Sequence, residues 1–104
     1  MYCRVAREVT KAMLSKEEKR KMTATIIDDP VRAAIAGILA DNTPVKWEKL
    51  RKLSETRLGE KLTDGRFNHH LSYLMLRKVV AETEDGYDLT PEGVIVIEEL
   101  RKLL

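Results

Sequence analysis

The sequence holds a single cysteine, Cys3, so no disulfide can close within the chain and no cysteine-rich zinc site can assemble. One lone thiol suits a reducing compartment, and a cytoplasmic location is expected. Aromatic residues make up only 5% of the chain. Aliphatic side chains must therefore fill the core, and a broad base-stacking platform is not expected. No apolar run approaches the ~20 residues a membrane span needs, and no apolar stretch follows the charges near the N-terminus as in a signal peptide. Catalytic signatures are also missing. There is no Gly-rich phosphate loop, no His-Glu-x-x-His and no evident carboxylate pair, so a non-enzyme without cofactors is expected.

What is present fits one small soluble domain. The 104 residues are 43% hydrophobic and 35% charged, with a net charge of +2. The total hides an asymmetry. Residues 1–22 and 46–66 are basic, whereas 82–92 are acidic through Glu82, Glu84, Asp85, Asp88 and Glu92. Such segregation permits a local basic face.

Apolar spacing predicts the elements. Val5, Val9, Ala12 and Met13 give a helix over 4–22, with Met22 extending its stripe, followed by a connector over Thr23–Ile27. This first helix either packs on its own domain or forms a dimer arm. Asp29-Pro30 caps and opens a second helix carrying Val31, Ala34, Ile35, Ile38 and Leu39. A third begins near Val45 or Lys46, faces inward with Trp47, Leu50 and Leu53, and breaks at Gly59. Thr63 or Asp64 caps a fourth over about 65–78, buried through Phe67, Leu71 and Leu74. Val79-Val80-Ala81 favours a strand, Asp85-Gly86 a hairpin turn and Tyr87-Asp88-Leu89 a return strand. Thr90-Pro91 then starts a last helix with Val94, Ile97, Leu100 and Leu104. Ile95, Val96 and Leu103 make that helix apolar on more than one side.

The stretch from Leu62 to Leu74 (Thr63-Asp64-Gly65, Phe67, His70-Leu71, Leu74) resembles the recognition-helix region of ArsR-like and MarR-like winged helix-turn-helix regulators, especially small archaeal ones. The likeness continues through Val79-Val80 and the stretch from Glu84 to Gly93, which looks like a wing followed by a "Leu-Thr-Pro-x-Gly" helix start. Asp29-Pro30-Val31-Arg32 is similar to the family's "Asp-Pro-x-Arg" opening. The resemblance spans about 28–100. One departure is the stretch from Leu53 to Thr63, longer than the usual link, so either the preceding helix has extra turns or the connecting turn is enlarged. The cysteine pairs of the family's metal sensors are absent.

The resemblance implies a mostly α fold with a small β-hairpin. It would be a winged helix-turn-helix with a three-helix core plus wing and flanking N- and C-terminal helices. Residues 1–24 would form a basic helix and possible dimerisation arm, and 25–104 the DNA-binding domain. The implied function is sequence-specific binding of double-stranded DNA as a homodimeric transcription regulator, with the helix at 65–78 in the major groove. Its polar residues Arg66, Asn68, His69, Ser72 and Tyr73 would meet bases or backbone: Arg66 has the fork that fits guanine, and Asn68 the amide that fits adenine or phosphate. Lys46, Lys49, Lys52, Arg57 and Lys61 would contact phosphates. Each of these positions equally suits an ordinary solvated helix face. The acidic wing would repel a phosphate backbone unless it tilts away, with Arg77 and Lys78 helping at its base. His69-His70 is not a metal pair, because neighbours on a helix diverge by about 100° and neither has a Cys or carboxylate four residues on. Dimerisation is expected through the first and last helices. The alternative is a winged-helix protein-interaction module without DNA reading.

Overall fold

The structure, a computed structural model, describes residues 14–42 and 44–103. They form five helices and one two-stranded antiparallel hairpin, in the order α1 (Lys16–Ile27), α2 (Pro30–Asp41), α3 (Trp47–Leu58), α4 (Asp64–Leu76), β1 (Val80–Thr83), β2 (Gly86–Leu89) and α5 (Pro91–Leu103).

The helix starts follow local chemistry. Ser15 and Glu18 make a reciprocal capping box on α1: the Ser15 hydroxyl accepts from the Glu18 N–H, and Glu18 accepts from the Ser15 N–H. Asp29 Oδ1 accepts from the Val31 N–H, with Pro30 at the first helical position of α2. The Thr63 hydroxyl accepts from the Arg66 N–H at α4. Thr90 Oγ1 accepts from the Gly93 N–H and donates to the Lys78 carbonyl at 2.6 Å, which starts α5 while pinning it to the end of α4.

The expected connector over Thr23–Ile27 is instead the last turn and a half of α1, with Met22, Thr25 and Ile26 buried. The β-branched Thr and Ile there are poor helix formers alone, but burial of Met22 and Ile26 against α2 outweighs a propensity deficit of only a few tenths of a kcal/mol per residue. A boundary at residue 24 therefore falls inside a continuous helix. The expected single helix over 4–22 does not run through, because Leu14 and Ser15 are non-helical and Ser15 is the extended N-cap of α1; its part over residues 4–13, with Val5, Val9, Ala12 and Met13, lies outside the described residues, as do Cys3, Thr43 and Leu104.

Helix α2 is the hub. It packs against α1, α3, α4, α5 and β2. Val31, Ile35 and Leu39 are fully buried, together with Leu50 of α3, Phe67 and Leu74 of α4, and Val79. At about 1.5–3 kcal/mol per buried side chain, this shared cluster is what fixes the helices relative to one another. The core is aliphatic, with Phe67 its largest member.

The hairpin pairs Val80 with Leu89 and Thr83 with Gly86, leaving Glu84-Asp85 as a two-residue turn. Asp85 thus keeps a negative φ, and only Gly86 (φ 135°) leaves the region open to side-chain-bearing residues. A third segment joins this sheet, a pairing that the sequence pattern did not predict. Val45, between α2 and α3, forms an antiparallel bridge to Tyr87, with N–H to carbonyl distances of 2.9 and 2.7 Å in the two directions. A Cβ at Gly86 would stand 2.6 Å from the Val45 carbonyl oxygen, so the bridge requires glycine there.

Asp88 does not share the exposure of the other hairpin carboxylates. It is buried and accepts the Leu89 N–H, and loss of water holds its carboxyl above the usual range.

Helix α5 is covered almost wholly by its own chain. Gly93, Ile95, Val96 and Ile97 are buried, Val94 and Leu100 are half-buried, and only Leu103 stands open, 82% exposed. The many-sided apolar pattern of this helix therefore needs no second subunit to cover it.

Candidate nucleic-acid interface

Helix α4 is anchored on one side and open on the other. Successive residues turn by about 100°. Phe67, Leu71 and Leu74 thus share one face, and all are at most 2% exposed. Asn68, His69 and Ser72 lie on the opposite face in solvent, and Arg66 is exposed at its edge. Tyr73 is half-buried on the same edge.

The two edges have different surroundings. On the α3 side, Asn68 Oδ1 accepts the Trp47 indole N–H at 2.7 Å. Trp47 also meets Phe67 edge to face, with ring centroids 5.5 Å apart, and the Arg51 guanidinium lies 5.8 Å from its ring centre. An indole N–H is only a donor, so this bond fixes the orientation of the Asn68 amide. The Asn68 amide N–H groups point away from the anchor, while its oxygen keeps one lone pair.

On the α2 side, Tyr73 lies between two arginines. Arg32 of α2 and Arg77 just past α4 lie 4.7 and 5.3 Å from the ring centre. Arg77 donates to the phenol oxygen through Nε and Nη2. That bond and the guanidinium charge hold the Tyr73 hydroxyl below its usual pKa.

His70 sits deeper on this side. Its Nε2 is 3.6 Å from Asp29, and its Nδ1 is buried without a partner. Burial lowers its pKa; the Asp29 charge opposes this, and neighbouring Arg32, His69 and Arg66 add to the lowering. Among the described residues, no group of three His, Cys, Asp or Glu side chains could hold a metal.

The long link before α4 resolves into extra helix plus a short turn. Helix α3 runs to Leu58, Gly59 closes it in the left-handed region (φ 72°), and residues 59–63 make the turn. Glu55 Oε2 accepts the Leu62 N–H at 2.7 Å, and Arg51 bridges Glu55 (3.1 Å) and Asp64 (3.6 Å). These groups set the angle at which α4 leaves α3.

The expected phosphate contacts do not form one group. Lys49, Lys52 and Lys61 are exposed, Lys52 beside Glu48 at 3.9 Å. Lys46 Nζ donates to the Glu84 carbonyl at 3.4 Å, which places it at the hairpin tip beside exposed Glu82, Glu84 and Asp85. Arg57 is turned elsewhere. It pairs with Asp41 at 3.8 Å over Gly37, beside Arg101, which reaches the same carboxylate at 3.0 Å. Arg66 is held by Glu60 at 3.0 Å. Arg32, which the sequence offers only as part of a helix opening, lies against Tyr73 at the edge of the outward α4 face.

No helix among the described residues is long and apolar enough to cross a membrane. No family model, curated protein or solved structure matches the chain, so the motif order within 28–100 stands alone as the basis for a family resemblance.

Proposed function

We propose that this protein binds double-stranded DNA with the outward face of α4 in the major groove, as a winged helix-turn-helix regulator and not an enzyme. The observation that carries this reading is the division of α4 itself. Its apolar face is locked into the core, while Arg66, Asn68, His69 and Ser72 stand in solvent. An α-helix with side chains is about 10–12 Å across, and a major groove about 12 Å wide. The succession of α2, the Val45 bridge, α3, α4 and the hairpin supports the same reading, since it gives a three-helix core with a small sheet at its edge.

Arg66 would exchange Glu60 for a guanine edge or a phosphate, an exposed pair that is cheap to open. With its oxygen already engaged by Trp47, Asn68 serves best as a donor. As a two-fold dimer, the protein would set two copies of α4 about one DNA turn apart.

The test is a mobility-shift assay on duplex DNA, including DNA from around the coding region, at two salt concentrations. Binding is expected to fall steeply with salt. Arg66→Ala and Asn68→Ala should each weaken it roughly tenfold with unchanged helical content. Unchanged affinity in both variants overturns the assigned face. The exposed acids Glu82, Glu84 and Asp85 favour a second reading, docking to a basic protein partner. On that reading, duplex DNA is not retained at either salt.

A further inference from the structure

Two guanidiniums, of Arg32 and Arg77, meet at Tyr73 on the α2-side edge of α4 without an ion pair of their own, although Asp29 stands at the start of α2 and Glu18 and Glu92 line one pocket with Arg77 and Lys78. Among the described residues, Arg32, Arg77 and Lys78 form no ion pair. Arg32 also occupies the first turn of α2, where the one nearby acid, the N-cap Asp29, is engaged by the Val31 N–H and lies beside His70. A helix N-terminus already carries partial positive charge, so a cation there is disfavoured by the helix dipole. Arg32 Nε is buried with no hydrogen-bond partner. Burying a charged donor unpaired costs free energy that stacking on one tyrosine face recovers only in part. Two guanidiniums held against one phenol ring therefore form a preorganised positive site with unused donors.

We infer that Arg32, Tyr73 and Arg77 form a clamp for one phosphodiester of duplex DNA at the rim of α4. This rests on the DNA-binding reading above. A helix lying in a major groove has a phosphate strand along each side, and this cluster lies on one side of the outward face, opposite Asn68 and Trp47. Each guanidinium has a planar fork of donors that matches phosphate oxygens. Tyr73 supports both: its ring carries Arg32, and its oxygen, accepting two Arg77 N–H groups, keeps that guanidinium from swinging into solvent. The lowered pKa of the Tyr73 hydroxyl, due to the Arg77 hydrogen bond and then its charge, is a second sign of the local positive field. The depression of His70 by the charge of Arg32 is another. Helix α2 thus contributes a contact that its core-packing pattern gives no hint of.

The experiment measures dissociation constants on two duplexes of unrelated sequence over a salt series, with the intact chain and with Arg32→Gln/Arg77→Gln. The double variant should bind roughly tenfold more weakly on both duplexes alike. Its log–log salt slope should be shallower by about 0.9, the contribution of one phosphate. Arg32→Lys/Arg77→Lys should restore the slope but not the whole affinity, since lysine returns the charge without the fork. It also stands in for the double variant if that fails to fold by circular dichroism, in which case the intermediate affinity is the supporting result. If the intact chain binds DNA and the slope is unchanged, or the loss falls on one duplex only, the clamp is overturned while the α4 reading survives. If the intact chain binds neither duplex, both fall. Inorganic phosphate titrated against the arginine Nε–H resonances, saturating below about 1 mM with no change in the DNA slope, would assign the site to free phosphate and overturn the DNA assignment.

Discussion

Trp47 donates its indole N–H to Asn68 Oδ1 over 2.7 Å, joining the first turn of α3 to the outward face of α4. The bond orients an exposed amide that would otherwise rotate. It also tethers the one aromatic of α3 to a candidate DNA contact. Trp47→Phe keeps an aromatic ring beside Phe67, removes the donor and leaves a smaller ring. The expected cost in stability is about 1 kcal/mol or less, because the bond is exposed. DNA affinity should fall several-fold, and discrimination at the base pair nearest Asn68 should relax. Urea denaturation and binding to a set of single-base operator variants check both parts.

Glu55 governs the angle between α3 and α4. Its carboxylate accepts the Leu62 N–H and pairs with Arg51, which in turn reaches Asp64. Glu55→Ala leaves a partly buried N–H unmet and frees Arg51, so a loss of roughly 1–3 kcal/mol is expected. Glu55→Gln retains an acceptor for Leu62 and should lose less. Thermal melts rank the three proteins. Equal midpoints would remove the role assigned to this carboxylate.

Gly86→Ala should be more damaging than its place beside a hairpin turn suggests. The new Cβ would meet the Val45 carbonyl at 2.6 Å, in a backbone conformation that side chains resist. A loss of about 2–3 kcal/mol is expected, with the Val45–Tyr87 bridge broken. Gly59→Ala, also at positive φ but in open space, is the control and should cost about 1–2 kcal/mol. Amide exchange at Val45 and Tyr87 reports the bridge directly.

His70 makes stability sensitive to acid. Its folded pKa is lowered, chiefly by burial, from an ordinary value of about 6.5. The unfolded chain therefore takes up the proton first. The resulting stabilisation is fully present above about 6.5 and is lost as pH falls through the lower folded value. His70→Gln should flatten the profile between about pH 7 and 5. Urea unfolding across that range measures it. A variant profile as steep as that of the original chain would refute the assignment.

Much of the fold was legible because neighbouring residues sufficed to write it. Asp29-Pro30, Thr63 and Thr90-Pro91 mark helix starts through hydrogen bonds that reach only two or three residues along the chain. The buried face of α4 follows from the spacing of Phe67, Leu71 and Leu74. The end of α1 has the sequence pattern of a connector, because Thr25 and Ile26 are held helical by packing on α2, not by their own propensity.

The sequence by itself determined where α2, α4 and α5 begin, which faces are apolar and that α4 would keep a polar side. Those properties depend on periodicity and on local hydrogen bonds. Only the tertiary structure decided which distant groups meet. It paired Val45 with Tyr87, turned Arg57 toward Asp41, buried Asp88, and brought Arg32 of one helix onto the tyrosine of another. Each of these depends on how α2 sits against its neighbours. That is fixed by the summed packing of the core, which no local pattern of residues encodes.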